Sequence, residues 1–164
     1  MRNFVLKLGL AAVATSFTGP AAAATTTTTF QVDATVISTC SVSAADLAFG
    51  TYDPLAAQPV DTQTTVTVQC TLTTGYTVAL SPGAGAGATV AARKMTRGLT
   101  TDTLGYSLYQ DTTRAQVWGE TGADLVSGTG TGVAQDHDVY GRIPAGQNVN
   151  PGGYSDTITV TVTF

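Results

Sequence analysis

Alternation of apolar and polar residues with a period of two is the feature of this sequence that most constrains its fold. Successive side chains of a β-strand point to opposite faces, so this period predicts half-buried strands. The longer runs lie at 30–36, 64–70, 76–80, 104–108 and 158–164, and shorter candidates lie at 47–52, 91–96 and 137–143. Glycine and proline turn signals separate the runs. Six to eight short strands with such turns predict an all-β fold of the immunoglobulin-like β-sandwich class.

The composition agrees with strands and excludes one class of function. Threonine, which favours strands, occurs 32 times, and only 11% of the residues are charged, against roughly 25% in an average soluble domain. The formal net charge is −4 and the isoelectric point is about 4.5. Because no basic face is available to neutralise phosphates, we predict no nucleic-acid partner.

The N-terminus has the order of a secretory signal peptide. Arg2 and Lys7 precede or flank an apolar stretch at 8–14, and small residues follow at 21–24. The stretch is shorter than the roughly 20 residues of a membrane span, so we predict a signal peptide at 1–24 rather than an anchor. Cleavage after Ala23 and after Ala24 fits equally, and we take Ala24. Residues 25–164 are then predicted to form one exported domain without a membrane span.

The two cysteines, Cys40 and Cys70, lie in the exported part of the chain. An even number of cysteines in an oxidising compartment predicts one disulfide bond. The sequence has no C-x-x-C motif, and a single histidine offers few partners for a metal site, so we predict no metal and no cofactor.

Both ends of the predicted mature chain carry apolar alternation. Phe30, Val32, Ala34 and Val36 share one parity near the start, and Ile158, Val160, Val162 and Phe164 share one parity at the end. An exposed apolar strand edge is a template for pairing with another strand. Two hypotheses stay open: the terminal strands pair within one closed sandwich, or they complete each other between molecules.

Six segments together resemble a known family. They are FQVDATVISTCSV at 30–42, LAFGTY at 47–52, LGYSLYQD at 104–111, WG at 118–119, VYGRIPAGQ at 139–147 and GYSDTITVTVTF at 153–164. They occur in an order that resembles the spore coat protein U domain family, whose members include subunits of archaic chaperone-usher pili. The resemblance spans essentially the whole predicted mature chain.

The resemblance implies an incomplete immunoglobulin-like sandwich whose missing last strand is supplied by a donor. It implies a donor segment at about 25–36, with Phe30, Val32, Ala34 and Val36 as donor residues. The run 154–164, carried over as the last strand, would line the acceptor groove with Ile158, Val160, Val162 and Phe164. Burying four donor side chains would contribute roughly 5 to 12 kcal/mol before ordering costs.

The implied partners are a periplasmic pilus chaperone, an outer-membrane usher and copies of the chain itself or of related subunits. The implied function is that of a structural pilus subunit that supports adhesion and biofilm formation, located in the periplasm during assembly and then at the cell surface. The alternative is a self-contained secreted coat or binding domain that does not polymerise.

An enzyme is the least favoured hypothesis. His137 is the only histidine and lies between Asp136 and Asp138, which could suggest a general base or a metal site. Strand alternation sends both carboxylates to the face opposite His137, so we predict neither catalysis nor metal binding. The basic run Arg93 to Arg97 is expected to keep an edge strand soluble, or else to dock an acidic surface or the C-terminus of a neighbouring subunit. Trp118 is expected in the core.

Overall fold

The computed structural model of the protein describes residue 19 and residues 22–164. The predicted signal peptide therefore lies almost wholly outside the described residues. The chain divides into two compact units, Met1–Thr35 and Val36–Phe164. None of the residues in the described range contributes to a helix long and apolar enough to cross a membrane.

In the first unit, residues 22–35 carry no regular secondary structure. The predicted strand at 30–36 is therefore wrong for this form of the chain, because its residues join no hydrogen-bonded ladder. Gln31 Nε2 nevertheless donates to Asp33 Oδ1 at 2.7 Å. These two side chains lie on the same side of the backbone, as residues two apart do in an extended segment.

The second unit contains nine strands among its described residues. They are β1 (Cys40–Ala44), β2 (Val60–Cys70), β3 (Gly75–Leu80), β4 (Arg93–Arg97), β5 (Thr103–Tyr109), β6 (Val126–Thr129), β7 (Gln135–Ile143), β8 (Tyr154–Ser155) and β9 (Val160–Thr163). A short 3-10 turn, Gly122–Asp124, precedes β6. Predicted strands at 64–70, 76–80, 91–96, 104–108 and 137–143 are confirmed, with shifted ends.

The strands form two antiparallel sheets, which make an all-β sandwich of the immunoglobulin-like class. The larger sheet has the order β1-β2-β7-β5-β4-β8, and the smaller has the order β6-β3-β9. The inward-facing side chains of both sheets form one core. Its buried members are Val66, Val68, Cys70, Tyr76, Val78, Leu80, Met95, Leu104, Tyr106, Leu108, Trp118, Val139 and Ile143. As expected, Trp118 is fully buried, and its Nε1 donates to the Val78 carbonyl at 3.0 Å.

The predicted disulfide is confirmed. Cys40 and Cys70 are bonded, and they are directly opposite residues of β1 and β2. The bond therefore fastens the first strand of the larger sheet to its neighbour at the end where β2 turns toward β3.

The predicted strand at 47–52 is wrong. The segment that follows β1 stops pairing with β2 after Ala45, whose N–H donates to the Thr65 carbonyl at 3.1 Å. Beyond it, threonine hydroxyls of β2 replace the ladder, since Thr62 Oγ1 donates to the Ala48 carbonyl at 3.2 Å. The alternation still serves packing, because Leu47 and Phe49 contact the core while the backbone runs free of a partner strand.

The expectation that the run from Arg93 to Arg97 lies on an exposed edge is wrong for Arg93. Its side chain is fully buried, and its guanidinium donates to four main-chain carbonyls, those of Leu80, Ser81, Val90 and Trp118, at 2.7–3.0 Å. Arg97 is partly exposed and pairs with Asp102. Strand β4 also lies between β5 and β8 rather than at the sheet edge.

Candidate functional site

The last strand, β9, has a free edge. It pairs with β3 on one side, with Val162 opposite Val78 and Val160 opposite Leu80. In the part of the chain that the structure describes, no strand pairs with its other side. A free edge of this kind presents unpaired backbone N–H and C=O groups.

Hydrogen bonds beside β9 show which backbone groups point to that edge. Ser81 N–H donates to the Thr159 carbonyl at 3.0 Å, and Thr159 N–H donates to Ser81 Oγ at 2.9 Å. Thr159 therefore points its backbone groups toward β3. Since these groups alternate along an antiparallel pair, the same holds for Thr161 and Thr163, and the groups of 158, 160 and 162 point to the free edge.

An apolar groove lies beside this free edge. Its cavity has a volume of about 1060 Å³. One wall is the stretch 149–160, and the other is the stretch 44–52. Buried side chains from both sheets form the floor, namely Val66, Leu80, Met95, Leu104, Tyr106, Leu108, Val139 and Ile143. The groove is thus an opening in the sandwich whose floor consists of core side chains.

A polar pair lies within the groove, where the backbone crosses between sheets. Tyr106 Oη donates to Asp156 Oδ2 at 2.6 Å, and Ala84 N–H donates to Asp156 Oδ1 at 2.7 Å. Burial, followed by the hydrogen bond to the Asp156 carboxylate, raises the pKa of Tyr106 well above its usual value. The phenol therefore stays a neutral donor that fixes Asp156 in place.

This crossing corrects the prediction of one continuous last strand. The run 154–164 is divided, because Tyr154 and Ser155 pair with β4 in the larger sheet, whereas β9 pairs with β3 in the smaller one. Asp156 lies between the two parts. Its hydrogen bonds to Tyr106 and Ala84 fix the backbone at the point where it passes from the larger sheet to the smaller one.

The four predicted acceptor residues occupy different positions. Ile158 and Val160 line the groove. Val162 is partly buried and packs against the core without contributing to the lining. Phe164 is 56% exposed at the end of the sequence. Two of the four residues thus lie at the groove itself, and the other two continue the same face of the strand.

The four predicted donor residues are all exposed. The exposed fractions are 87% for Phe30, 80% for Val32 and 89% for Val36, and Ala34 is also exposed. Three large apolar side chains are thus exposed to solvent within seven residues. Exposed apolar patches of this kind mark interaction sites.

Sequence reasoning missed the second wall of the groove as a functional feature. Leu47 and Phe49 reach over Gly141 of β7, where a Cβ atom would lie 2.9 Å from Phe49 Cζ and 3.1 Å from Leu47 Cδ1. The absence of a side chain at Gly141 therefore leaves the space in which these two residues pack. A glycine inside an otherwise apolar strand pattern was the available signal.

The His137 ring packs between the sheets, away from the carboxylates of Asp136 and Asp138. Its Nε2 is 2.9 Å from the Tyr76 hydroxyl, across the two sheets. Asp136 and Asp138 lie on the outer face, near the hydroxyls of Thr67 and Thr65. Burial lowers the pKa of His137, which favours the neutral ring. Within the described ranges, no three histidine, cysteine or acidic side chains are grouped to hold a metal ion.

The fold and the groove define a class: an immunoglobulin-like sandwich with an apolar groove beside a strand whose outer edge is free. Residues 26–161 match the Spore Coat Protein U domain. The protein therefore belongs to the spore coat protein U domain family, as its sequence resemblance suggested.

Two similar proteins extend this assignment. The sequence is 40% identical over 158 residues to Protein U of Myxococcus xanthus, with 88% of each protein covered. The fold is similar to that of a protein in the CsuC-CsuE chaperone-tip adhesion subunit pre-assembly complex from archaic chaperone-usher Csu pili of Acinetobacter baumannii, with a TM-score of 0.61 and 24% identity. That match covers 79% of this protein and 41% of the other, and it shows a shared fold.

Proposed function

We propose that this protein is a structural subunit of a surface pilus, assembled by the chaperone-usher pathway through donor-strand complementation. The observation that carries the proposal is the free edge of β9 beside an apolar groove of about 1060 Å³. An added strand would satisfy the outward-pointing backbone groups of 158, 160 and 162 and would fill the groove above the core.

The N-terminal segment has the chemistry of such a strand. Its exposed apolar residues recur at every second position, from Phe30 to Val36. Seven residues at about 3.3 Å each span roughly 23 Å, which equals the length of the seven residues 158–164 when they are extended. The segment 30–36 and the run 158–164 therefore share an apolar period of two.

Two successive occupants of the groove follow from the proposal. A periplasmic chaperone would fill the groove of the newly exported subunit, and at an outer-membrane usher the segment 25–36 of the next subunit would replace it. The groove of that next subunit would then await another copy. The similar solved structure is a pre-assembly complex of a chaperone with a tip adhesion subunit, which supports a chaperone as the first occupant. Adhesion and biofilm formation would be properties of the assembled fibre.

The proposal assigns the protein no catalytic role. The single histidine, His137, is hydrogen-bonded to the Tyr76 hydroxyl. The groove is lined mainly by apolar side chains, and its polar pair is the Tyr106 phenol bonded to the Asp156 carboxylate. These features suit the permanent burial of a strand rather than turnover of a small molecule.

The test compares two charge-introducing variants of the donor segment in the full-length protein, expressed with its chaperone and usher. Val32→Asp places a charge on the apolar parity, whereas Thr35→Asp places the same charge on the opposite parity. We expect Val32→Asp to stop fibre growth while the chaperone-bound subunit stays soluble, and Thr35→Asp to polymerise like the wild type. Electron microscopy and size-exclusion chromatography report the polymer length.

Two results would overturn the proposal. One is a Val32→Asp variant that polymerises to the wild-type length. The other is a wild-type protein that is a soluble, reversibly folding monomer without any partner, which would instead favour a self-contained coat or binding domain.

A further inference from the structure

Strand β1 connects two segments of the chain that have different parts in the proposed assembly. On its N-terminal side, residues 37–39 lead back to the donor segment 25–36. On its C-terminal side, the chain continues directly into the stretch 44–52, which forms one wall of the groove. A force that displaces β1 therefore also displaces a wall of the groove in the same copy.

The noncovalent attachment of β1 is weak. It is the edge strand of the larger sheet, and among the described strands it pairs only with β2, from Cys40 opposite Cys70 to Ala44 opposite Val66. Its residues after Cys40 are all exposed. Strands with few buried side chains open locally at a lower free energy than the core does. Apart from the disulfide, the backbone ladder to β2 is thus the main attachment of β1.

The groove wall beyond β1 depends on β1 staying in place. The hydroxyls of Thr62 and Thr64 on β2 donate to its carbonyls, and Leu47 and Phe49 pack against the core. These are separate side-chain contacts rather than a continuous ladder, so each can break in turn once the preceding one is lost. Peeling β1 away from β2 would therefore reach the wall at residue 44 and continue into it.

In a fibre joined by donor strands, tension enters each copy through its own donor segment. That segment is held in a neighbouring copy, so a pull on it is passed along residues 37–39 to Cys40, the first residue of β1. The load leaves through the groove, where the donor of another copy pairs with β9. The path of the load through one copy thus begins at β1, the strand that is continuous with the groove wall.

The disulfide lies at the point where this load arrives. Cys40 is bonded to Cys70, the last residue of β2. Strand β2 lies inside the larger sheet, where it pairs with β7 from Val60 to Val68, and its inward side chains Val66 and Val68 are buried. A covalent bond to this strand passes the load into the core before the ladder of β1 bears it.

Hydrogen bonds reinforce the same point. Thr71 N–H donates to the Thr39 carbonyl at 3.0 Å, and Thr39 N–H donates to Thr71 Oγ1 at 3.3 Å. The residue before Cys40 is thereby tied to the residue after Cys70. None of these four residues lines the groove, so a load borne by them is borne away from both of its walls.

We propose that the disulfide between Cys40 and Cys70 is a force-bearing link, which carries tension from the donor segment past β1 into β2 and so keeps the groove of the same copy closed on its occupant. This inference rests on the proposed function, because only a polymer held by donor strands is pulled in this way. Without the bond, peeling of β1 would loosen the wall 44–52 and release the donor of the next copy. The bond thus isolates one junction of a copy from the load on its other junction.

The test uses a dimer of the full-length protein that contains one donor junction. The donor copy carries Val160→Asp in its own groove, and the acceptor copy carries Val32→Asp in its own donor segment, so the chain cannot grow further. The acceptor copy is pulled either from position 30, through residues 37–40, or from position 72, in the exposed loop after Cys70. An azide-bearing side chain at either position provides the attachment, and the donor copy is always attached at position 112.

Magnetic tweezers measure the lifetime of the junction at constant force, for acceptor copies that keep the disulfide and for acceptor copies with Cys40→Ser and Cys70→Ser. Forced separation reports the rate of opening rather than the equilibrium stability. With the disulfide, we expect equal lifetimes for the two attachment points, because Cys40 and Cys70 are directly opposite and both pulls enter at the same place. Without it, we expect a severalfold shorter lifetime for position 30 than for position 72.

The ratio of the two lifetimes separates the proposal from a purely stabilising disulfide. A bond that acts only by constraining the unfolded chain would change both lifetimes alike, so an unchanged ratio in the serine variant overturns the inference and leaves donor insertion intact. If the serine variant forms no dimer, reduction of assembled dimers that contain the disulfide gives the same comparison. Absence of a dimer from the two copies that keep their disulfides overturns the proposed function, and this inference with it.

Discussion

The guanidinium of Arg93 donates to the main-chain carbonyl of Trp118 at 2.7 Å, and both residues are fully buried. The same guanidinium donates to the carbonyls of Leu80, the last residue of β3, and of Ser81, which follows it. It therefore ties the larger sheet, through β4, to the smaller sheet and to the segment that carries the central tryptophan. Leu80 of β3 pairs with Val160 of β9. The Arg93 guanidinium therefore also supports the strand on which the free edge of β9 depends.

Replacing Arg93 should be costly. Arg93→Met keeps much of the volume but removes the donors from four carbonyls, of which those of Leu80 and Trp118 accept buried hydrogen bonds. An unpaired buried acceptor costs about 1–3 kcal/mol. Because some carbonyls can find water, we expect the free energy of unfolding to fall by about 3 kcal/mol in total. Urea denaturation of the wild type and the variant, followed by tryptophan fluorescence, measures the difference.

Arg142→Met is the matched control. Arg142 makes a two-pronged ion pair with Asp61, at 2.7 and 2.8 Å, but on the surface of the larger sheet. Such exposed pairs contribute about 1 kcal/mol or less. Equal losses in the two variants would show that the buried guanidinium has no special role.

Arg93 also shows where sequence reasoning reached its limit. Its alternation partner Met95 is buried, and the same parity predicts an inward side chain at 93. An arginine in that place is normally assigned to the surface, because burying a charge is expensive unless partners surround it. Most of those partners are carbonyls of segments distant along the sequence, and the residues around Arg93 do not predict them.

The disulfide between Cys40 and Cys70 should contribute much of the domain's stability. It joins residues 30 apart in sequence, and the chain-entropy relation gives about 3 to 4 kcal/mol for a loop of this size. We expect the double variant Cys40→Ser with Cys70→Ser to unfold at a correspondingly lower urea concentration. Reduction of the wild-type protein should reproduce that shift and should leave the double variant unaffected, and a wild type insensitive to reduction would contradict this account.

His137 should make stability depend on pH between mildly acidic and neutral conditions. Its pKa is lowered by burial, so the unfolded protein binds a proton more readily than the folded protein. The stability due to the neutral ring is then fully present above about pH 6.5, the ordinary pKa of histidine, and is lost as pH falls toward the folded pKa. For one site, the slope is at most about 1.4 kcal/mol per pH unit.

The variant His137→Gln isolates this effect. Glutamine can still bond to the Tyr76 hydroxyl but does not titrate in this range. The difference in unfolding free energy between wild type and variant should therefore change between pH 7.5 and pH 5, in favour of the variant at the acidic end. A constant difference across that range would show that His137 titrates alike in both states.

The candidate site was predictable to the extent that it depends on period. Alternation placed Ile158 and Val160 on the inward face of the last strand, and the structure lines the groove with them. The second wall was not predictable in this way. Leu47 and Phe49 alternate as strand residues do, yet their backbone joins no ladder. The hydroxyls of Thr62 and Thr64 instead donate to the carbonyls of Ala48 and Ala45. Period reports which side chains face inward and carries no information on what the backbone pairs with.

The most direct prediction concerns the two halves of the proposed exchange. Val160→Asp places a charge in the groove wall and should prevent the protein from accepting a strand, while its own Phe30 to Val36 segment can still donate. Val32→Asp should have the reverse defect, because its groove is intact and its donor is not. Each variant alone should fail to polymerise, but an equimolar mixture should form dimers and no longer species, as sized by light scattering.

Thr161→Asp, whose backbone points to β3 and whose side chain points outward, is the control for Val160→Asp and should polymerise. A mixture that stays monomeric would contradict the exchange, since complementary defects in one donor and one acceptor must rescue a single junction.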